Sequence, residues 1–357
     1  MLYSRAMRRS VCGTTLRIAA ALALAFIPVC LFPGHARAVG SVSTVSVRPM
    51  GMGGAFMAVE DGMVAAAWNP AALSPGKCRA SGGFRLHLNV LGAPAIARET
   101  GLLSGAQTDE YERLPQAEKL GIALGGLVKS VTFSRGGFAC GLLLLEEHLE
   151  PAGLRESKGL ADASDLLEAY YSTLCVTFRL GESVSIGAAE TVFARTGSDG
   201  RREFGSGRSY GALLKPNDRV TVGLVYVDIA PGYESFRREI EGLAPRTMNA
   251  GIAYCPVRSL KLTLDLRDLA EKHGDTALSA RAGLEWDLWG KAALRAGHYR
   301  EETENANVLS LGVGAIPMPG CRSGGVDARG DAFVLNYASL LSESQGPRHL
   351  LSVVLHF

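Results

Sequence analysis

Apolar and polar residues alternate strictly along several stretches of this chain. Residues 260–267 read Leu-Lys-Leu-Thr-Leu-Asp-Leu-Arg, so every second side chain is a leucine and those between are charged or carry a hydroxyl. Residues 278–288 continue the pattern, with apolar side chains at even positions and mostly polar ones at odd positions. Because successive side chains of a β-strand point to opposite faces, this period of two predicts strands with one apolar and one polar face.

Segments of this kind recur from residue 83 to residue 357 and give about fourteen predicted strands. Most are about 8 to 12 residues long, near the roughly 9 to 11 residues with which a tilted strand crosses a bilayer. Segments 121–133 and 307–316 are rich in glycine and alternate least. The predicted strands are 83–90, 121–133, 137–146, 170–180, 183–195, 206–215, 219–228, 246–255, 259–268, 278–288, 291–300, 307–316, 331–339 and 348–357.

The connections between these strands alternate in length. The short connections are 134–136, 181–182, 216–218, 256–258 and 289–290, and the ones between them are longer. Outer-membrane barrels have this alternation, with short periplasmic turns and longer outer loops. The gap 317–330 departs from it, so either a strand begins near Ser323 or that turn is elaborated. The sequence therefore predicts an all-β fold, a closed antiparallel transmembrane β-barrel of about 14 strands.

The composition of the two strand faces favours a membrane barrel over a soluble sandwich. The apolar face is mixed with alanine and glycine, while the other face carries charges of both signs that can pair in a wet lumen. Closing the sheet satisfies the backbone hydrogen bonds of every strand edge, whereas lipid cannot satisfy those of an open edge. Residues 351–357 end in an aromatic residue and resemble the closing-strand signal read by the barrel-assembly machinery. Aromatic residues near predicted strand ends, where barrels place their girdles, are Trp286, Trp289, Tyr226, Tyr254, Phe333 and Tyr337.

Residues 1–38 have the features of an export signal. Four arginines precede or begin a mostly apolar run at 18–32, and Ala36-Arg37-Ala38 is an A-x-A cleavage site. Removal of this segment takes five of the 37 basic residues and none of the 35 acidic ones, which leaves a charge of about −3. The mature chain has no basic stripe for nucleic acid.

Five cysteines remain after cleavage, and none of them forms a C-x-x-C pair. This pattern is neither a metal cluster nor a disulfide framework. The cysteines are interpreted as small apolar side chains, or as including one pair that bridges after export. We predict no metal site and no cofactor.

Residues 50–73 read Met-Gly-Met-Gly-Gly-Ala-Phe-Met-Ala-Val-Glu-Asp-Gly-Met-Val-Ala-Ala-Ala-Trp-Asn-Pro-Ala-Ala-Leu. Asp61 is a predicted N-cap for a helix over 62–67, which must stop before Pro70. Asn69 is expected to bond local backbone in the turn, and the glycines to permit close approach to a wall. The alternative is a periplasmic arm or an ordinary capped helix.

This order of residues resembles the N-terminal plug of the FadL-type long-chain fatty-acid outer-membrane transporters and their PorV-like relatives. The resemblance implies a signal peptide at 1–38, a plug at 39–80 and a barrel at 81–357. The gate residues that it implies are Gly51, Gly53, Gly54, Asp61, Asn69, Pro70 and Ala71.

The resemblance also implies a function. It suggests a monomer in the outer membrane of a diderm bacterium, in contact with outer-membrane lipid, that passively admits hydrophobic small molecules such as long-chain fatty acids. Ligand would leave through a wall opening at a strand kink, with Gly125-Gly126 as first candidate and Gly136-Gly137 as second. Because PorV-like relatives serve secretion as partners, the alternative is a non-transporting scaffold. The chain is short for such a transporter, and its outer loops lack an obvious long apolar helix pair that could form a ligand-collecting groove, which weakens the fatty-acid assignment.

Catalysis fits the sequence poorly. No G-x-S-x-G, H-E-x-x-H or P-loop pattern occurs, and the mature histidines are scattered singly. Three arginines on the polar faces, Arg246, Arg281 and Arg295, are possible contacts for a ligand carboxylate. Pairing with Glu285, Asp287 or Asp265 is their alternative use.

Overall fold

The computed structural model describes residues 47–73, 83–89, 116, 128–147, 169–196, 202–229, 247–271, 279–288, 292–301, 306–315, 332–344 and 347–356. The described residues form fourteen β-strands. Their bounds are β1 Gly83–Asn89, β2 Val128–Arg135, β3 Phe138–Glu147, β4 Ala169–Leu180, β5 Val184–Thr196, β6 Arg202–Asn217, β7 Val220–Ile229, β8 Thr247–Val257, β9 Leu260–Glu271, β10 Ser279–Leu288, β11 Ala292–Glu301, β12 Ala306–Ala315, β13 Ala332–Ser342 and β14 Arg348–His356.

These strands form a closed antiparallel barrel in which each strand pairs with its neighbours in sequence. The barrel closes where β1 meets β14, with His87 opposite His356. Thirteen of the predicted strands agree with the observed ones to within a few residues. The exception is the second, which we predicted to start at 121 and which is described from Val128.

The alternation in the sequence becomes the difference between the two faces of the wall. On β4, for example, the threonines Thr173 and Thr177 point inward and are buried, whereas Leu174 and Phe178 point outward and are 54% and 49% exposed. Exposed large apolar side chains occur in the same outward register on every strand from β3 to β13. The barrel is therefore apolar on its outer surface and largely polar on its inner one.

Several short turns join the strands at one end of the barrel. Gly136 and Gly181 adopt positive φ angles of 58° and 72° in two of these turns, a region that glycine enters without strain. Gly136-Gly137, our second candidate for a wall kink, is thus the tight turn between β2 and β3. That candidate was wrong, because the pair joins two strands and does not bend one. Gly125-Gly126 lies outside the described residues and stays a prediction.

Residues 47–73, which we call the inner segment, lie inside the barrel. The segment contains helix α1 (Val47–Gly51), helix α2 (Gly62–Ala66) and a 3-10 helix (Pro70–Ala72). Helix α1 packs on β11 to β14, and the 3-10 helix packs on β4 to β6, across the lumen. The segment contacts inward-facing side chains on both sides and is almost wholly buried, so it crosses the lumen.

Two further features bear on the predictions. None of the helices in the described ranges is long and apolar enough to span a membrane. Cys140 and Cys175 are free thiols, whereas Cys255 is disulfide-bonded, in agreement with the alternative in which one cysteine pair bridges.

Candidate functional site: the inner segment and its wall

The barrel wall contacts the inner segment through glycines that lie opposite each other on neighbouring strands. Three pairs stand directly opposite one another: Gly187 and Gly211, Gly223 and Gly251, and Gly283 and Gly297. A Cβ at Gly187 would lie 2.5 Å from the carbonyl carbon of Pro70, and one at Gly223 would overlap the carbonyl oxygen of Met57. Each pair thus leaves room for the backbone of a different part of the segment to lie against the wall.

The third glycine pair seats the loop that follows α1. Gly53 has a φ angle of 66°, and a Cβ there would lie 2.7 Å from the carbonyl oxygen of Ala282. A Cβ on Gly297 would overlap the amide nitrogen of Gly53. Gly51 makes a looser contact of the same kind with Gly312. Only glycine fits on either side of the contact between Gly53 and Gly297, and Gly54 has a positive φ angle of 71° that also favours glycine.

Asn69 holds the other end of the segment. Its side-chain amide donates to the carbonyl oxygen of Met57 at 2.8 Å, and its Oδ1 accepts from the amide of Ala71 at 3.0 Å. The carbonyl oxygen of Pro70 accepts from the Thr177 hydroxyl on β4 at 2.5 Å. Asn69 therefore caps the 3-10 helix, as the sequence suggested, and also ties two parts of the segment together.

Wall side chains satisfy the backbone of the loop between α1 and α2. Asp265 Oδ2 accepts from the amides of Phe56 and Met57 at 2.7 and 3.0 Å. Arg267 donates to the carbonyl oxygen of Gly54 at 3.1 Å, and Ser310 Oγ accepts from the amide of Gly53 at 2.9 Å. These polar side chains replace the water that an isolated loop would bind.

An ion cluster joins α1 to the wall. Arg48 donates to both carboxylate oxygens of Glu285 at 2.7 and 2.6 Å and also pairs with Asp61 of the inner segment. Arg295 donates to Glu285 at 2.8 Å, and Lys261 Nζ lies 3.5 Å from it. Burial disfavours the charged form of Arg48, but the two carboxylates outweigh burial and raise its pKa above the ordinary value.

The ion cluster corrects our interpretation of Asp61. Asp61 is at the N-cap position of α2, but its side chain makes no capping hydrogen bond, because it pairs with Arg48 instead. The helix also ends at Ala66, with Ala67 as its C-cap. The Arg48 guanidinium carries a full positive charge and a backbone amide does not, so the long-range ion pair replaces the local cap.

The inner segment presents different residues to the two ends of the barrel. Glu60 pairs with Lys215, near the short turn at the end of β6. On the other side, the Arg267 guanidinium lies 5.2 Å from the centroid of the Trp68 ring, far along β9 from its short turn. The side with Glu60 therefore faces the short turns, and the side with Trp68 faces the long connections.

Arg281 differs from the other predicted arginine that the structure describes. Arg295 pairs with Glu285, the alternative use that we had given for it. Arg281 stacks on the Tyr299 ring at 4.4 Å and, within the described ranges, has no carboxylate at ion-pair distance. Its buried Nε atom has no hydrogen-bond partner. Arg246 lies outside the described residues.

Sequence reasoning missed the wall side of this site. Asp265 and Glu285 were considered only as partners for wall arginines and Arg267 only as part of a polar strand face, and Arg48 and the wall glycines were not singled out. The sequence does carry a signal for the wall glycines, because they occupy positions of the polar, inward face of the strands. Gly283, for example, lies between Arg281 and Glu285 on that face. A glycine at an inward position in mid-strand leaves room for another backbone.

Fold and site together define a closed antiparallel β-barrel whose lumen is crossed by its own N-terminal segment. The sequence matches no protein-family model and no curated protein. In structure the chain is similar to the CymD monoaromatic hydrocarbon channel, with a TM-score of 0.44 and 12% identity over 90% of this chain and 97% of that one. It is also similar to a Pseudomonas aeruginosa FadL homologue, with a TM-score of 0.40 and 13% identity over 88% and 96% of the two chains. A mutant of Rh. blastica porin matches with a TM-score of 0.34 and 11% identity over 64% and 77%.

Proposed function

We propose that this protein is an outer-membrane channel that passively admits hydrophobic small molecules, with long-chain fatty acids as the expected class, and that the inner segment is its plug. The observation that carries the proposal is the combination of an apolar outer wall with a segment that crosses the lumen. Since the segment crosses the lumen, we infer that it moves when a ligand passes.

The outer surface supports placement in a membrane. Side chains such as Leu264, Leu309 and Trp286 are 44%, 46% and 49% exposed, and outward apolar residues of this kind run around the wall from β3 to β13. Exposed apolar surface on this scale is unfavourable in water and is typical of a membrane-facing wall. The charged side chains Glu190, Arg208 and Asp228 lie opposite one another across β5 to β7 on the outer surface.

The orientation follows from the connections. In outer-membrane barrels the short turns face the periplasm. Glu60 and Lys215 then lie on the periplasmic side of the plug, and Trp68 and Arg267 on the outer side. Residues 1–38 would be the signal that directs the chain to this membrane.

Arg281 is the residue that we propose for the ligand's carboxylate. A guanidinium presents donors that match a carboxylate; this one stands opposite Asp265 on β9 and interacts with its charge, but the described residues place no carboxylate within ion-pair distance of it. Ser279 Oγ, two residues before it on the same inward face of β10, is also buried without a hydrogen-bond partner. A carboxylate between them would accept hydrogen bonds from both groups. The apolar chain of the ligand would add about 0.8 kcal/mol of favourable binding free energy for each methylene removed from water.

Uptake of radiolabelled oleate by a host that lacks its own fatty-acid transporter tests the proposal. We expect uptake when the native protein is present in the outer membrane, and reduced uptake by the Arg281→Gln variant at equal protein level. Glu190→Gln, on the outer surface, is the matched control and should transport normally. Absence of oleate uptake together with co-purification of a stoichiometric protein partner would instead favour the scaffold.

A further inference from the structure

Trp68 is a partly buried residue of the inner segment, as Met50 and Val64 are, and it is the only aromatic one among these three. Phe56, Met52, Met63 and Leu73 are fully buried, whereas Trp68 is only partly buried. It nevertheless packs against both of the apolar clusters that hold the segment, one around Met63 and Leu73 and one around Met52 and Phe56. Part of Trp68 is thus left uncovered inside the lumen, although leaving it uncovered forgoes part of the favourable transfer from water.

The position of the indole is fixed from the wall. Arg267 lies over the Trp68 ring while also donating to the carbonyl oxygen of Gly54. A Cβ on Gly54 would lie 3.6 Å from the Trp68 ring and 2.8 Å from a guanidinium nitrogen of Arg281. Trp68, Gly54 and Arg281 therefore meet at one place, on the side of the segment that faces the long connections.

Trp68 is also joined to the parts that hold the segment in place. Its backbone amide donates to the carbonyl oxygen of Ala65, and the amide of Asn69 donates to the same oxygen at 2.8 Å. Trp68 follows α2 and immediately precedes Asn69, which ties Met57, Ala71 and the wall together. A displacement of the indole would therefore act directly on the end of α2 and on Asn69.

We propose that Trp68 is the ligand-sensing residue of the plug: the apolar body of a bound amphiphile contacts its uncovered part, while the amphiphile's head lies at Arg281. This inference rests on the proposed function and names the side chain through which an occupied lumen acts on the inner segment.

Fluorescence provides the test, since the chain has three tryptophans and two can be replaced. In the double variant Trp286→Phe/Trp289→Phe, Trp68 is the only emitter and the site is unchanged. We expect dodecanoate to change its emission saturably, with the half-saturation concentration that calorimetry gives for binding. Trp68→Ala should raise that concentration about tenfold, while Trp68→Phe, which keeps an aromatic ring, should stay close to the native value. Trp286→Ala, on the outer surface, is the matched control and should bind as the native protein does.

The outcomes separate the two proposals. If calorimetry detects dodecanoate binding but the emission of Trp68 does not change, the ligand does not contact the indole, and the sensing role is wrong while the channel stands. If Trp68→Ala folds, as judged by heat-modifiable gel mobility, and binds dodecanoate normally, the sensing role is likewise overturned. If the native protein neither binds nor takes up dodecanoate, the proposed function fails and the sensing role fails with it.

Discussion

Arg48 and Glu285, which are 237 positions apart in the sequence, form a two-bond ion pair inside the barrel. Glu285 also accepts from Arg295, and Arg48 also pairs with Asp61. A buried ion pair is weak evidence for net stability, because desolvation opposes the attraction. Its geometric role is clearer: the pair fixes the position at which α1 meets the wall.

Replacing Glu285 should destabilise the barrel more than replacing Arg48. Glu285→Gln removes the one buried carboxylate that Arg48, Arg295 and Lys261 share and leaves Arg48 with Asp61 alone, and breaking a buried ion pair costs about 3–5 kcal/mol. Arg48→Gln should cost less, because Glu285 keeps Arg295. Urea unfolding in detergent, followed by tryptophan fluorescence, measures both. Equal unfolding free energies for the two variants would contradict this account of the cluster.

Alanine at Gly223 should displace the inner segment. The new Cβ would overlap a backbone carbonyl of Met57, which cannot rotate away as a flexible side chain does. We expect a loss of about 1–3 kcal/mol in stability and a larger single-channel conductance in planar bilayers. Ala280→Val, on the outer surface of β10, is the control and should leave the conductance unchanged. A Gly223→Ala variant with native conductance would mean that the wall does not seat the segment here.

Removing the Asp265 carboxylate should loosen the loop between α1 and α2. Asp265→Ala leaves the amides of Phe56 and Met57 without an acceptor, at about 1–3 kcal/mol for each unsatisfied group. Hydrogen exchange of a peptide spanning residues 52–60 should become faster, whereas Asp265→Asn, which keeps an acceptor oxygen, should have a smaller effect. Unchanged exchange in Asp265→Ala would exclude this role.

The free-energy cost of an arginine on the outer wall should depend on its depth in the bilayer. Leu264→Arg, in the middle of β9, should cost about 2–4 kcal/mol on folding into lipid vesicles. Met248→Arg, at the end of β8 near the long connections, should cost only about 0–1 kcal/mol. Folding equilibria in vesicles, measured for both variants, provide the comparison. Identical costs at the two depths would be inconsistent with a bilayer around this wall.

The sequence predicts the strands well because each hairpin is local. Alternation and short turns lie within a few residues of each other, so thirteen strands were found close to their observed bounds. Ion pairing is not local: Arg281 and Arg295 look alike in sequence, and only the register across β10 and β11 places Arg295 beside Glu285. For the same reason a helix-capping role was assigned to Asp61, whose partner Arg48 is set by the folding of the whole segment.

The glycine seats also constrain the order of assembly. The inner segment precedes every strand in the chain, yet its seats lie on strands between Gly187 and Gly312, which leave the ribosome and reach the membrane later. The leading residues therefore have no complete docking surface until most of the cylinder has been built. The segment that comes first in the chain is therefore among the last parts of the molecule to reach its final position.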